Sequence, residues 1–296
     1  MDIAQFKTLA TQQLQRVYEA PERHALILIL LAEVAGVPTY WYHSNLDYAF
    51  TPAVSQALQT ALDRLAAGEP VQYVVGHVTF GGCRIQVDSR VLIPRPETEE
   101  LLRHALSACQ GAPLQVLDAC TGSGCLAIAI KKQCPQARVF ACDISESALE
   151  VAQSNAQAND VQVTFFNADV LQVEATAQTA FSYDWVGPGL DAPKGMSLLV
   201  SNPPYVTEQE RAQMARRVLA YEPELALFVP NEDPLRFYNA LAQLGLRLLR
   251  PGDAVLAEIN QAYGPQTAAL FDAKGYKKGV LLDDLFGKNR FISYLC

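Results

Sequence analysis

LQVLDACTGSGCLAIAIKK, residues 114–132, runs from a short apolar segment through two closely spaced glycines into a second apolar segment of helical length. That order predicts a strand, a tight turn and a helix. Four further apolar runs of strand length follow: RVFACD (138–143), VQVTFF (161–166), SLLVSN (197–202) and AVLAEI (254–259). Strand-like runs alternating with helical ones predict an α/β fold with a mostly parallel sheet and helices on both faces. Ligands of such sheets bind beyond the carboxyl ends of the strands, so the residues that follow each run are the candidates for chemistry.

Upstream, the texture differs. Ile3, Phe6, Leu9, Leu14 and Val17 recur at near-helical spacing, Pro21-Glu22 opens a second helical segment, and Thr51-Pro52 opens a third with Val54, Leu58, Leu62 and Leu65 on one face. A threonine N-cap followed by proline at the first helical position is a strong start signal. Residues 1–70 therefore read as a small helical bundle. VQYVVGHVTF and CRIQV, split by Gly81-Gly82, read as a β-hairpin linker over 71–93, which leaves 94–296 as the α/β domain.

Composition narrows the class. Of 296 residues, 50% are hydrophobic and 18% charged, enough for a packed core and unlike a disordered chain. Lys and Arg number 23 against 31 Asp and Glu, a net charge of -8 that disfavours a protein coating nucleic acid with a basic face. The seven cysteines are odd in number and form no CxxC pair, which predicts a reducing compartment with neither disulfides nor a zinc site. MDIAQFKTLA lacks the layout of a secretory signal, and the run Ala25 to Ala32 is far short of a membrane span. The expectation is a soluble, cytoplasmic protein without membrane association.

Four features follow the predicted strands. Gly122 and Gly124 lie in Cys120-Thr121-Gly122-Ser123-Gly124, where backbone can approach a ligand closely. Asp143, about 20 residues downstream, can accept hydrogen bonds from both hydroxyls of a ribose; its competing role is to cap the helix that follows. Asp169 can reach an exocyclic adenine amine with Val170 packed beside the ring, and an exposed loop acid is the plainer reading. The fourth feature is Ser201-Asn202-Pro203-Pro204-Tyr205. Two consecutive prolines make a rigid turn without donors, so the Asn202 side-chain oxygen and the Pro203 carbonyl form a pair of acceptors beside the Tyr205 ring. Two acceptors suit a planar NH2 group.

Asn-Pro-Pro-Tyr at 202–205, after LDACTGSG and Asp143, resembles the S-adenosylmethionine-dependent amino-methyltransferases. Within them the chain is most similar to the bacterial peptide chain release factor glutamine methyltransferase family. That resemblance rests also on Pro70-Val71-Gln72-Tyr73 with Gly76 and Phe80, on VLIPRPETEELL from Val91 to Leu102, on YEPELAL from Tyr221 to Leu227, and on DDLFGKNRF from Asp283 to Phe291. It is dense from about residue 70 onward. The chain departs from the family where Cys120 replaces a usual glycine. It departs again before the fourth strand, where Asp184 is set apart by a Gly/Pro-rich insertion at about 186–196.

The resemblance implies a Rossmann-like class I methyltransferase sheet with S-adenosyl-L-methionine as methyl donor and no metal. The cofactor would lie over Cys120, Thr121, Gly122, Ser123 and Gly124, with Asp143 on the ribose, Asp169 and Val170 at the adenine, and Asn202 alongside. Pro94 to Glu99 would cover it; their plainer role is a charged helix start capped by Glu97 or Thr98. Asn202 and Pro203, with Pro204, would hold the amide of the glutamine in the Gly-Gly-Gln loop of class I release factors, and Tyr205 would stack on it. Methylation there modulates translation termination, and the N-terminal bundle would recognise the partner. No stable nucleic-acid binding is expected. An adenine-N6 methyltransferase on DNA or RNA is the alternative, since Asn-Pro-Pro-Tyr suits an adenine amine equally. A nicotinamide-dependent dehydrogenase built on Gly122, Gly124 and Ala127 leaves Asn-Pro-Pro-Tyr unexplained, and a non-catalytic sensor is the non-enzyme reading. His24, His43, His77 and His104 all lie outside the strand-end loops.

Overall fold

A computed structural model describes residues 1–108, 114–173 and 196–296, so the insertion at 186–196 and Asp184 lie essentially outside the described residues. The chain divides into two compact units, Met1–His77 with Ala215–Tyr221, and Val78–Met214 with Glu222–Cys296.

In the first unit, α1 (Ile3–Leu14) opens on a capping box between Asp2 and Gln5, and α4 (Pro52–Ala66) on the predicted Thr51 cap. Between them lie α2 (Ala20–Glu33) and the short α3 (Trp41–Ser44). Phe6, Leu14, Leu30, Leu58 and Leu62 are sealed from solvent and form one core. VQYVV, read as β-prone, is instead the helical turn α5 (Val71–Val75). It starts after Pro70 and stops at Gly76, whose left-handed φ of 81° ends it, and five residues between such breakers are too few for their β-branched content to decide the outcome. The helix Arg216–Tyr221 also belongs to this unit. Its Arg217 pairs with Glu22 at 2.6 Å and its Tyr221 hydroxyl donates to the Ala67 carbonyl at 3.0 Å.

In the second unit the hairpin thus shrinks to β1 (His77–Phe80) and β2 (Cys83–Gln86), followed by α6 (Pro96–Ala108). Then β3 (Gln115–Ala119), α7 (Cys125–Gln133), β4 (Arg138–Asp143), α8 (Glu146–Ala158), β5 (Thr164–Asn167) and β6 (Met196–Ser201) alternate as expected. Two short strands, β7 (Val206–Thr207) and β8 (Phe228–Val229), pair in parallel, and β9 (Leu249–Glu258) completes the predicted set. The C-terminal β10 (Lys277–Asp283) and β11 (Asn289–Leu295) were not anticipated as strands.

The main sheet runs β10-β11-β9-β6-β3-β4-β5, parallel from β9 through β5 and antiparallel where β11 meets β9 and β10. This is the class I methyltransferase arrangement. Alternate strand residues serve opposite faces: Leu117, Ala119, Leu199, Val255 and Ala257 join Tyr238, Leu241 and Phe271 of the helices Arg236–Leu248 and Gly264–Ala273 in one core. Val116, Val139, Leu198 and Val200 are equally buried and point the other way. Chain order reverses between β3 and β6, the switch point at which a ligand crevice opens.

A single asparagine joins the hairpin to the glycine turn. Asn155 of α8 has no exposed surface; its Oδ1 accepts from the Gln86 N–H at 2.7 Å, and its Nδ2 donates to the carbonyls of Gln86 at 3.0 Å and Ser123 at 2.9 Å. Truncation leaves one buried and two part-buried backbone groups without their partner, so Asn155→Ala is expected to cost about 2–3 kcal/mol. Urea and thermal unfolding check this, and an unchanged midpoint refutes the latch.

Candidate active site

A cleft opens at the carboxyl ends of β3 to β6, and the turn after β3 forms its floor. Cys120 adopts φ 61°, a left-handed conformation that costs an L side chain about 1–2 kcal/mol. This is where the family glycine is replaced. Cys120 lines the cleft while its side chain packs against the core, and burial first, then the nearby Asp143, pushes the thiol far above the ordinary range. Thr121, Gly122 and Ser123 line the cleft as well. Gly124 does not: at φ 79° it begins α7, and a Cβ there would come within 3.0 Å of the Ala152 Cβ, so its smallness serves helix packing.

Asp143 ends β4 and borders the cleft. Its Oδ2 accepts from the Gly122 N–H at 2.8 Å and its Oδ1 from the Ser145 N–H at 3.0 Å. The cap of α8 is Ser145, not Asp143, so this carboxylate braces the glycine turn instead. Burial raises its pKa while those N–H groups lower it. Asp169 accepts from the Leu171 N–H at 2.9 Å and, with Val170, forms the wall at the end of β5.

Beneath the turn lies a residue that motif reading passed over. Asp118 is 1% exposed; its Oδ2 accepts from the Thr121 hydroxyl at 2.6 Å and the Ala127 N–H at 3.2 Å, while its Oδ1 is buried with no partner among the described residues. Burial drives the pKa up to about 7.

The Asn-Pro-Pro-Tyr turn leaves β6, anchored where the Ser201 hydroxyl donates to the Ala119 carbonyl at 2.7 Å. Asn202 and Pro204 face the cleft. Asn202 Nδ2 donates to Thr98 Oγ1 at 3.0 Å, and that hydroxyl donates onward to Glu258 Oε2 at 2.8 Å. Thr98 is therefore no helix cap. Pro203 is buried, and the half-buried Tyr205 lies outside the cleft lining, its hydroxyl donating to Glu258 Oε1 at 2.9 Å. That bond fixes the hydroxyl end of the ring expected to stack on the substrate amide. Burial raises both groups, Tyr205 further because the neighbouring Glu258 carboxylate opposes its ionisation.

Two stretches that carried the resemblance meet beside the cleft. Glu222 accepts from Arg95 Nη2 at 2.7 Å and from the Ile93 N–H at 3.1 Å, so IPRPETE and YEPELAL are held together by one buried carboxylate. Pro94 of the former and Pro223 of the latter line the cleft. Asp118 and Glu258 share a signal that sequence reading could have used: each is the one charge in a short apolar run, VLDA at 116–119 and AVLAEI at 254–259, where an uncompensated carboxylate is costly.

Comparison with known proteins agrees with this geometry. Residues 116–186 match the model of a methyltransferase domain and residues 7–76 that of the PrmC N-terminal domain. A release factor glutamine methyltransferase of Bacteroides thetaiotaomicron is 41% identical over 95% of this chain and 96% of its own length. One from Flavobacterium psychrophilum is 34% identical, covering 99% and 98%. Among solved structures, a methyltransferase from Pyrococcus furiosus aligns with TM-score 0.48 at 14% identity, covering 72% of this chain and 89% of that one. Among the described residues no helix is long and apolar enough to cross a membrane. With identity sustained from end to end and a methyltransferase sheet that carries Asn-Pro-Pro-Tyr at its switch point, the chain belongs to the release factor glutamine methyltransferase family.

Proposed function

We propose that the enzyme transfers a methyl group from S-adenosyl-L-methionine to the side-chain amide nitrogen, N5, of the glutamine in the Gly-Gly-Gln loop of class I release factors. The observation that carries this reading is the amide of Asn202: with Nδ2 committed to Thr98, its oxygen is the end left for a ligand in the cleft. A planar NH2 needs an acceptor there, and the family relationship supports a protein glutamine as its bearer.

The residues present fit the cofactor. Asp143 offers carboxylate oxygens to a ribose, Asp169 and Val170 border the place for an adenine, and the turn at Cys120–Ser123 exposes backbone. The unpartnered oxygen of Asp118 suits the ammonium of an amino acid moiety, since a buried carboxylate oxygen without a donor calls for one. When bound, S-adenosyl-L-methionine supplies an activated methyl group on a sulfonium.

The protein's own part is orientation. An amide nitrogen is a weak nucleophile because its lone pair is delocalised into the carbonyl, and fixing both N–H bonds limits the approach to one line. Asn202 and the Pro203 carbonyl would accept those two hydrogens. The Pro-Pro turn keeps the acceptors from moving with the substrate. The proton leaves after transfer, so no dedicated general base is required. The alternative, an adenine amine on nucleic acid, is disfavoured by the net charge of -8.

Mass spectrometry of a purified release factor incubated with the enzyme and S-adenosyl-L-methionine is expected to show a gain of one CH2 unit on the Gly-Gly-Gln peptide. Methylation of nucleic acid alone overturns the reading. Asn202→Ala is expected to lower kcat by about 100-fold or more with cofactor Kd within about threefold, and wild-type-like turnover sinks the assigned role. Asp118 yields a prediction with a sign. A ligand cation pairs with the ionised carboxylate, so cofactor affinity is weakest where Asp118 is protonated and rises as pH passes upward through about 7. Asp118→Asn is expected to weaken affinity by about tenfold and to flatten that rise, as read by titration calorimetry about one pH unit either side. An undiminished rise in the variant refutes the pairing.

A further inference from the structure

The hydrogen bonds behind the Asn-Pro-Pro-Tyr turn have a direction. Glu258, the last residue of β9, is 1% exposed, and an ionised carboxylate can only accept. Its Oε2 takes the single hydroxyl proton of Thr98, at 2.8 Å. Thr98 Oγ1 then has only lone pairs to offer Asn202, which must present its NH2, and Nδ2 lies there at 3.0 Å. The two ends of an asparagine amide have nearly the same shape and opposite polarity, so packing alone does not choose between them. The other oxygen, Oε1, holds the Tyr205 hydroxyl at 2.9 Å, and Asn260 Nδ2 holds the Tyr205 carbonyl at 3.1 Å.

We infer that Glu258 is a positioning residue which, through Thr98, sets the polarity of the Asn202 amide, so that its oxygen and not its NH2 meets the substrate nitrogen. Through Tyr205 the same carboxylate fixes the far end of the turn. Glu258 does not line the cleft, and its route to the turn is through these two hydroxyls. A rotated Asn202 would set NH2 against NH2, two donors facing with no acceptor between them. The inference rests on the proposed reading of Asn202 as the amide acceptor, and it adds two residues, 98 and 258, that lie far apart in sequence from it.

The test uses Thr98→Val, which keeps the shape and removes the relay, Thr98→Ser, which restores the hydroxyl, and Glu258→Gln, which exchanges one acceptor for a donor. In the protein alone, nitrogen-15 NMR of the Asn202 side chain is expected to show a hydrogen-bonded NH2 proton that is lost in Thr98→Val and returns in Thr98→Ser. In turnover with release factor, Thr98→Val is expected to lower kcat by about 10–100-fold, with KM and cofactor Kd within about threefold and Thr98→Ser close to wild type. Glu258→Gln should fall in the same direction, and the double variant with Thr98→Val should be no worse than the poorer single. Wild-type kcat in Thr98→Val overturns the inference, as does equal impairment of Thr98→Val and Thr98→Ser, a loss confined to cofactor Kd, or additive losses in the double variant. If the wild-type enzyme methylates no release factor, the functional reading fails by itself, and the NMR comparison still decides whether Thr98 holds the amide.

Discussion

The parallel ladder that joins β3, β6 and β9 governs everything built on its carboxyl edge. Ser201 is in register with Ala119 on one side and Ala257 on the other. Neighbouring strands lie about 4.8 Å apart, so the three segments that leave those ends begin within about 10 Å of each other before any loop has folded. One of them is the glycine turn, one is Asn-Pro-Pro-Tyr, and the third begins with Glu258. The Ser201 hydroxyl, bonded to the Ala119 carbonyl, extends the ladder past its last backbone pair. The spacing between the glycine turn and the Asn-Pro-Pro-Tyr turn is thus a property of the sheet.

Three carboxylates along this edge, two buried and Asp143 partly so, are accommodated in three ways. Asp143 is met by backbone N–H groups on both oxygens, a solution that depends on the shape of two turns and on no other side chain. Glu258 is met by two hydroxyls, whose orientation it then dictates. Asp118 is met on one oxygen only. Desolvation raises all three, yet the first two are compensated within the fold, and the third is left with a capacity that a ligand can fill.

The sheet was legible because its central strands are short apolar runs separated by helical ones, and the turn that lines the cleft because its residues are contiguous. Asn202 and Pro203 could be singled out since two prolines constrain a turn whatever surrounds them. Thr98 and Glu258 could not be joined to Asn202 by inspection, because their bonds span 160 and 104 positions and exist only once β9 lies beside β6. The bond from Tyr205 to Glu258 was out of reach for the same reason, since the two residues lie 53 positions apart. VQYVV was misread because β propensity outweighed, in the reading, the two breakers that bound it. β10 was missed because KKGVLLD has no alternation, being an outer strand exposed along most of its length.

The strained Cys120 puts a sulfur atom in the wall of a cleft inferred to hold a sulfonium, which is an alkylating agent. A thiolate is a far stronger nucleophile than an amide. Burial and the adjacent Asp143 carboxylate keep the proton on that sulfur. Cys125 and Cys142, the next nearest thiols, are likewise raised, Cys125 to about 12. The same desolvation that raises the carboxylic acids along the edge of this sheet therefore also disfavours its thiolates, in a turn where this chain carries cysteine.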